Sequence, residues 1–508
     1  MGERAQVVVI GAGSAGAVIA RRLVDAGASV TLLEAGGPDA DPAIHDPRRV
    51  IELRGSAVDW AHESVAHPAV GGRRLPYPRG RVLGGSSTIN GMIYIRGHRL
   101  DYDHWAYLGN HGWGWDDVLP LFRRSEDFDG GASALHGAGG PWHVLSRYEP
   151  DPLHASIIEA AVAAGIPRTD DHNGERIEGV CQTHFSIRDG RRDSTASAFL
   201  APVTGHPGLT VLTGTRALRL LFEGDRCVGA EVVRDGVVEE VRATEEVVLC
   251  AGAFESPRIL TLSGIADAGD LGRLGIDVRA DLPGVGRNLQ DHPLVPVIFE
   301  TSRPPGDVSP GLTPMQSQLF WHSRPGLASP DLPPLALSVP LYDDAELTGP
   351  ESAFTLGAGL VRPASRGEVR VRSADPADAL DIDPRNLTAD ADVDALVACV
   401  ELCREIGAAE PLAAGWGARE LHPGPSRDLR EFVRASALSY AHPVGTCRMG
   451  TGDDAVVDPE LRVRGVEGLR VADASIMPVI PSGNTAAPTV MIGEKASDLV
   501  AASLGVAA

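Results

Sequence analysis

Near its start the chain reads Gln6-Val7-Val8-Val9-Ile10-Gly11-Ala12-Gly13-Ser14-Ala15-Gly16, and this stretch decides the fold. Gln6–Ile10 is the short, largely apolar run that a buried parallel strand needs. AVIARRLVDAGA follows the glycines and predicts a helix ending near Gly27, then a second strand over Ala28–Leu33 with Glu34 at its end. Strand, glycine loop, helix, strand and terminal acid fall in order within about 30 residues, which is far more specific than the glycines alone. Gly11 permits the tight turn, Gly13 lets backbone approach a pyrophosphate, and Gly16 lets helix and strand pack closely. Ser14 and Ala15 open the helix, whose free N–H groups and positive dipole end favour phosphate. Glu34 can accept hydrogen bonds from a ribose diol, and its charge disfavours a 2′-phosphate. The unit predicts a bound dinucleotide; the plain alternative is a glycine turn without a ligand. By itself it does not separate FAD from NAD.

Working outward, the 508 residues are enough for a large core and for about three domain-sized units. A net charge of −22 argues against a nucleic-acid partner, whose phosphates attract Lys and Arg. Six cysteines in so long a chain make no disulfide framework, and no CxxC or zinc spacing occurs, so no metal site is expected. Cys399 and Cys403 share a helix face in VDALVACVELCREIGAA and read as core thiols. The first apolar run is broken by glycines and lacks the basic flank of a signal peptide. No uninterrupted apolar stretch reaches membrane-spanning length. A cytoplasmic location is expected, with peripheral membrane contact left open.

A second glycine-rich run, PRGRVLGGSSTINGMIYIRG, spans Pro78–Gly97. Paired glycines followed by serines let backbone amides approach an anion or a flat ring closely. Together with the N-terminal unit it resembles the glucose–methanol–choline (GMC) oxidoreductases, FAD enzymes that oxidise alcohols. The resemblance continues in order through CAGAFESPRIL (250–260), Ser263-Gly264-Ile265, LPGVGRNLQDH (282–292), SYAHPVGTCRMG (439–450), LRVADAS (469–475) and SGNTAAPT (482–489). Residues 300–350 carry no recognisable block.

The resemblance implies an α/β (α+β overall) chain with two interleaved domains. A Rossmann-like FAD-binding domain would use residues 1–150, 203–292 and 436–508. A substrate-binding domain, built on an antiparallel sheet with helices, would use 151–202 and 293–435. It places Gly11, Gly13, Ser14, Ala15, Gly16 and Glu34 at the nucleotide. Val82, Gly85, Asn90, Gly91, Met92 and Ile93 fall around the pyrophosphate and isoalloxazine. A backbone group of Ala217 meets the adenine, and Asp473, Ala474 and Thr485 lie beside the ribityl–pyrophosphate and the ring. Some relatives bond FAD covalently through a His just before the Asn of the second glycine-rich run. That position is Ile89 here, so non-covalent FAD is expected.

The catalytic pair implied by the resemblance is His442 with Asn484. Alcohol oxidation delivers the hydroxyl proton to a base and a hydride to flavin N5. Histidine suits the base because its pKa lies near working pH, and Asn484 can both donate to and accept from the substrate oxygen. Asp291, His292 and Arg448 are given no catalytic role, since loop structure and ion pairing account for them. The implied reaction turns an alcohol into an aldehyde or ketone and passes electrons to oxygen, a quinone or another carrier. The alternatives are an FAD-containing hydroxynitrile lyase and a non-catalytic flavin-binding protein. Choline-oxidising relatives can carry a carboxylate where this chain has Leu294, which points away from choline and towards an uncharged alcohol. Ala441, where many relatives carry a bulkier residue, leaves room for larger substrates. Gly367–Arg372 alternates like a half-buried strand, and the Pro/Gly-rich stretch 302–334 reads as a long irregular connection or lid.

Overall fold

The computed structural model describes residues 5–342 and 347–506. Ala5–Ile10 forms the first strand, and its apolar residues Val7, Val8 and Val9 are fully buried. Helix Ser14–Asp25 follows the glycine loop, and strand Val30–Leu33 returns parallel to the first. The second strand is two residues shorter at its start than the sequence suggests. Leu209–Leu212 adds on one side and Val237–Leu249 on the other, both parallel. Val237–Leu249 is long enough to serve two sheets. Its end pairs parallel with Ala5–Ile10 and Leu469–Val471, while its beginning pairs antiparallel with Arg226–Arg234 and through it with Thr215–Glu223.

The glycines earn their positions by contact. A Cβ on Gly11 would lie 2.5 Å from the Cys250 carbonyl oxygen, and one on Gly16 would lie 1.9 Å from that of Gly11. Neither atom fits, so helix Ser14–Asp25 can seat against the sheet only with glycine there. The last helix, Ala486–Leu504, packs on Ser14–Asp25 through Gly493. Glu494 joins them from the core by pairing with Arg22 and Arg124 at 2.8 and 2.6 Å.

A second sheet is antiparallel throughout. Its order is Arg419–His422, Pro293–Glu300, Ala353–Gly359, Leu335–Leu337, Ser317–Phe320, Gly179–Gln182, with Leu438–Ser439 paired to the start of Pro293–Glu300. Helices Asp390–Ala408 and Pro152–Ala163 cover one face. The two-residue period of strands sends Val295, Val297, Phe299 and Ala336 into that apolar layer. It turns Leu294, Leu335 and Leu337 to the other face, where a cavity lies.

Two sequence expectations change in detail. The 302–334 stretch is not wholly irregular: Ser317–Phe320 joins the second sheet and is buried, and Pro314 and Met315 form cavity wall. Glu368–Val371 is a strand, but it pairs only with Leu380–Asp383 in a two-stranded ribbon. Cys399 and Cys403 are buried thiols in one helix. No helix among the described residues is long and apolar enough to cross a membrane.

Candidate active site

One continuous cavity runs from the end of strand Val30–Leu33 to the face of the second sheet. Gly11, Gly13, Ser14, Ala15 and Glu34 line one end, with Ala217 across from them. Gly85, Asn90, Gly91 and Ile93 line its middle, and Asp473, Ala474 and Thr485 face it from the C-terminal blocks. His442 and Asn484 lie on the same cavity wall. Three residues expected at the cofactor do not line the cavity. Gly16 is packed between helix and strand, Val82 sits in a small apolar cluster with Ile44 and Ile89, and Met92 is buried among Phe185, Met315 and Phe320. Met92 adopts φ +61 and turns its side chain away, while its neighbours Gly91 and Ile93 face the cavity.

The lining fits a long, flat, diphosphate-bridged molecule. Three helices begin on the cavity: Ser14–Asp25, Gly252–Leu262 and Ala486–Leu504. Ser14–Asp25 and Ala486–Leu504 carry no side-chain cap, which leaves donors and positive dipole ends for phosphate, whereas the first N–H of Gly252–Leu262 is taken by the Asp473 carboxylate. A Cβ on Gly85 would sit 2.7 Å from Gly13 Cα, so the two glycine loops touch and form one backbone cradle. Glu34 accepts from the backbone N–H of Ala12 at 3.1 Å and of Gly36 at 2.8 Å. Burial pushes its pKa up to about 7 against those bonds, a cost that hydroxyl donors from a ribose would offset. Asp473 is anchored by Ser256 Oγ at 2.6 Å and by the N–H of Gly252 at 2.8 Å.

Residues that sequence reasoning passed over crowd the nucleotide end. Trp60 stacks on His62 with ring centroids 5.8 Å apart, and the guanidiniums of Arg81 and Arg216 lie over Trp60 at 4.9 and 5.4 Å. Their sequence signal was thin, since Asp59-Trp60 stands alone between two glycine-rich segments. Glu255, within a quoted block, also faces the cavity and bonds Arg258 at 2.8 Å.

At the other end, Nε2 of His442 and Nδ2 of Asn484 are 3.3 Å apart. His442 follows Ala441, which is left-handed at φ +60. Ser439 Oγ accepts from the Ala441 N–H at 2.8 Å, Asp291 Oδ1 accepts from the His442 N–H at 2.8 Å, and Arg79 donates to the Ala441 carbonyl. Asp291 also accepts from Tyr77 at 2.9 Å and Ser439 at 2.6 Å. Tyr440 stacks on the imidazole at 4.8 Å. The Nδ1 atoms of His442 and His292 are 3.0 Å apart. Burial, then His292 and Arg79, hold the His442 pKa well below its ordinary value, so the ring is neutral and free to accept a proton. Asp291 and His292, read from sequence as loop residues, thus meet the proposed base directly. Their place as the last two residues of the LPGVGRNLQDH block was the available signal.

The profile described as GMC oxidoreductase matches residues 5–294, and its C-terminal part matches 363–493. The chain belongs to the GMC oxidoreductase family. An oxygen-dependent choline dehydrogenase of Brucella ovis is 40% identical over 97% of this chain and 95% of the relative. The mitochondrial choline dehydrogenase of Homo sapiens is 40% identical over 97% of this chain and 89% of the relative. A crystal structure of pyridoxine 4-oxidase from Mesorbium loti superposes with a TM-score of 0.93 at 36% identity, covering 97% of this chain and 98% of that one. As a GMC oxidoreductase the protein is an FAD-dependent enzyme. It oxidises a CH–OH group and passes the electrons to an oxygen- or quinone-type acceptor.

Proposed function

We propose that the enzyme oxidises an uncharged, largely apolar alcohol, with His442 as the base and Asn484 holding the substrate oxygen. The carrying observation is the pair of side chains 3.3 Å apart beside Leu294, Met315, Leu335, Leu337, Leu341 and Tyr440. Those walls offer contact to hydrocarbon or an aromatic ring. Among the described residues, the carboxylates that line the cavity are Glu34, Glu255 and Asp473, and the contacts of Glu34 and Asp473 tie them to the nucleotide cradle. A trimethylammonium beside Leu294 would meet no counter-charge among the described residues, so we do not extend the kinship with choline dehydrogenases to choline as the preferred substrate. Kinship with a pyridoxine oxidase supports a ring-bearing alcohol.

Bound FAD supplies the two-electron acceptor. The chain's own part is to take the hydroxyl proton at His442 Nε2, orient the oxygen through Asn484, and exclude water with the leucine wall. Ile89, apolar and on the cavity wall, supports FAD held without a covalent bond. The cofactor contacts we assign are the cavity-lining members of the set expected from sequence, with Gly16, Val82 and Met92 acting behind them. The strands of the parallel sheet lie within 1–150, 203–292 and 436–508, and those of the second sheet within 151–202 and 293–435, apart from Leu438–Ser439. That division supports an FAD unit and a substrate unit. Six unpaired, buried thiols support a reducing, cytoplasmic location.

Anaerobic stopped-flow with a panel of benzyl-type alcohols, aliphatic alcohols, pyridoxine and choline tests the reading. His442→Ala is expected to lose most flavin reduction, by at least about 100-fold, while keeping its FAD. Reduction of the variant at the parent rate refutes the base; choline as the fastest substrate refutes the apolar site.

A further inference from the structure

We propose that His292 is the positioning residue that locks His442 in the tautomer of a base and shares the proton His442 takes up. The inference deepens the reading of His442 as the base and rests on it. The two rings meet nearly at right angles, 88° between planes, with Nδ1 facing Nδ1 at 3.0 Å. One proton must lie between those nitrogens, and which ring carries it is decided further out.

On its far side, Nε2 of His292 is buried with no hydrogen-bond partner among the described residues. The polar groups facing that ring are the backbone carbonyls of Pro481 and Val361. A carbonyl can only accept, so it favours the proton on Nε2. A neutral His292 protonated at Nε2 has a bare Nδ1, which can only accept from Nδ1–H of His442. A neutral His442 protonated at Nδ1 has a bare Nε2, the atom beside Asn484. Each assignment forces the next, and the chain ends on a lone pair aimed where the substrate hydroxyl would lie.

The arrangement also explains why the partner is an imidazole. The groups around His442 are Tyr440 on its ring face, Asn484 at Nε2, Asp291 on its backbone N–H, the Arg79 charge, and His292 at Nδ1. A carboxylate at position 292 would hold Nδ1–H equally well, but it would favour the imidazolium and fill the base with a proton before substrate arrives. A neutral acceptor orients the ring without that charge. Once the hydroxyl proton reaches Nε2, His442 carries a positive charge, and the strengthened bond from its Nδ1–H to His292 spreads that charge over two rings. No bond to carbon or oxygen changes at His292; the proton taken by His442 is balanced by the one the alcohol loses.

The test uses the FAD-loaded enzyme with His292→Asn, His292→Ala and His292→Asp. The Asn side chain keeps an acceptor oxygen near the place of Nδ1. The expected result is a 10- to 100-fold slower limiting flavin reduction in the Ala variant, by analogy with orienting partners elsewhere, with most of the rate restored in the Asn variant. In the Asp variant the acid limb of reduction against pH should move up by about one unit or more. Independently of turnover, ¹⁵N spectra of ring-labelled histidine in the unmutated holoenzyme should show His442 protonated at Nδ1 and His292 at Nε2, each resonance assigned by its own variant. An Nε2–H tautomer at His442, an unmoved acid limb, or an Asn variant as slow as the Ala variant overturns the proposal. A His442→Ala enzyme that still reduces flavin at the parent rate overturns the base reading instead. If the Ala variant does not fold, the ¹⁵N spectra and the Asn and Asp variants still decide.

Discussion

Asp291→Asn is the most informative perturbation of the turn that carries His442. The backbone at Ala441 is left-handed at φ +60, which costs an alanine about 1–2 kcal/mol. Three bonds hold it there: Ser439 Oγ with the Ala441 N–H, Arg79 with the Ala441 carbonyl, and the Asp291 carboxylate with the His442 N–H at 2.8 Å. A bond to a buried carboxylate contributes about 1.5–3 kcal/mol, and a bond to a neutral amide roughly half of that. Replacing the carboxylate by an amide therefore removes about 1–1.5 kcal/mol at His442 and a similar amount from the Ser439 and Tyr77 bonds. The remaining anchor is comparable to the strain, so the turn can relax and carry the imidazole away from Asn484. At 1.36 kcal/mol per factor of ten, limiting flavin reduction should fall about 10- to 100-fold. Ala441→Gly removes the left-handed penalty, and in the Asp291→Asn background it should restore roughly 5-fold or more. Anaerobic stopped-flow on the four members of this double-mutant cycle gives the rates, and thermal melts separate a misplaced turn from a damaged fold. A parent-like rate for Asp291→Asn, or no gain from the added glycine, would show that the anchored turn does not position the base.

Two further predictions concern pH. Glu34 holds its proton up to about 7 when folded, against 4.5 as an ordinary Glu, so the folded chain binds more protons across that window and loses stability as pH rises through it. Glu34→Gln should leave the FAD-free protein more stable than the parent at pH 8, by up to about 3 kcal/mol, but not at pH 4; equal denaturation midpoints at pH 8 would refute the buried charge. His136 lies between Glu126 at 3.2 Å and Asp171 at 2.8 Å. Burial opposes its charge, but its bonds to Asp171 and Glu126 raise its pKa overall, while Asp171 is buried too yet brought down to about 2 by His136 and His184. The raised His contributes below its ordinary pKa and is lost as pH climbs through the raised value; the depressed Asp contributes above 3.8 and is lost as pH falls towards 2. Asp171→Asn should therefore lower the melting temperature more at pH 5 than at pH 9, and an equal loss at both would count against the ion pair.

What was legible in sequence was local. Gly11–Gly16 could be read because turn, approach and packing each demand glycine within a few residues; Gly11 and Gly13 line the cavity, and Gly16 packs the helix against the strand. The Gly84-Gly85 pair was legible for the same reason. The 302–334 stretch hid its strand because Ser317–Phe320 is four residues long, buried on both faces, and flanked by prolines and glycines. The partners of His442 were illegible because they lie 150 residues away. Gln290 and Val444 exchange backbone bonds at 3.1 and 3.0 Å, and Pro293 pairs with Ser439. That long-range pairing brings Asp291 and His292 against the turn, and no periodicity within either segment announces it.

The same pairing bears on how His442 and Asn484 are held to a hydrogen-bond distance. His442 follows Leu438–Ser439, an edge of the second sheet, and the Tyr440 N–H donates to the His292 carbonyl at 2.9 Å. Asn484 precedes the helix Ala486–Leu504, which packs on the nucleotide-binding helix. A sliding of the second sheet's edge against helix Ala486–Leu504 would open the 3.3 Å contact between His442 and Asn484. The segment just before His292 resists this: Gln290 donates to the Pro478 carbonyl and accepts from the Ile480 N–H, both at 3.2 Å, and Asn288 donates to Pro478 and Gly445. Gln290 and Asn288 are side chains with both donor and acceptor atoms, and Gln290 is buried, so each lost bond would leave a desolvated group unpaired. The stitch thus ties the loop carrying Asp291 and His292 to the loop that leads into Asn484. His442, His292 and Asn484, which we propose as base, orienting partner and substrate-oxygen ligand, are thereby tied to one another through the protein.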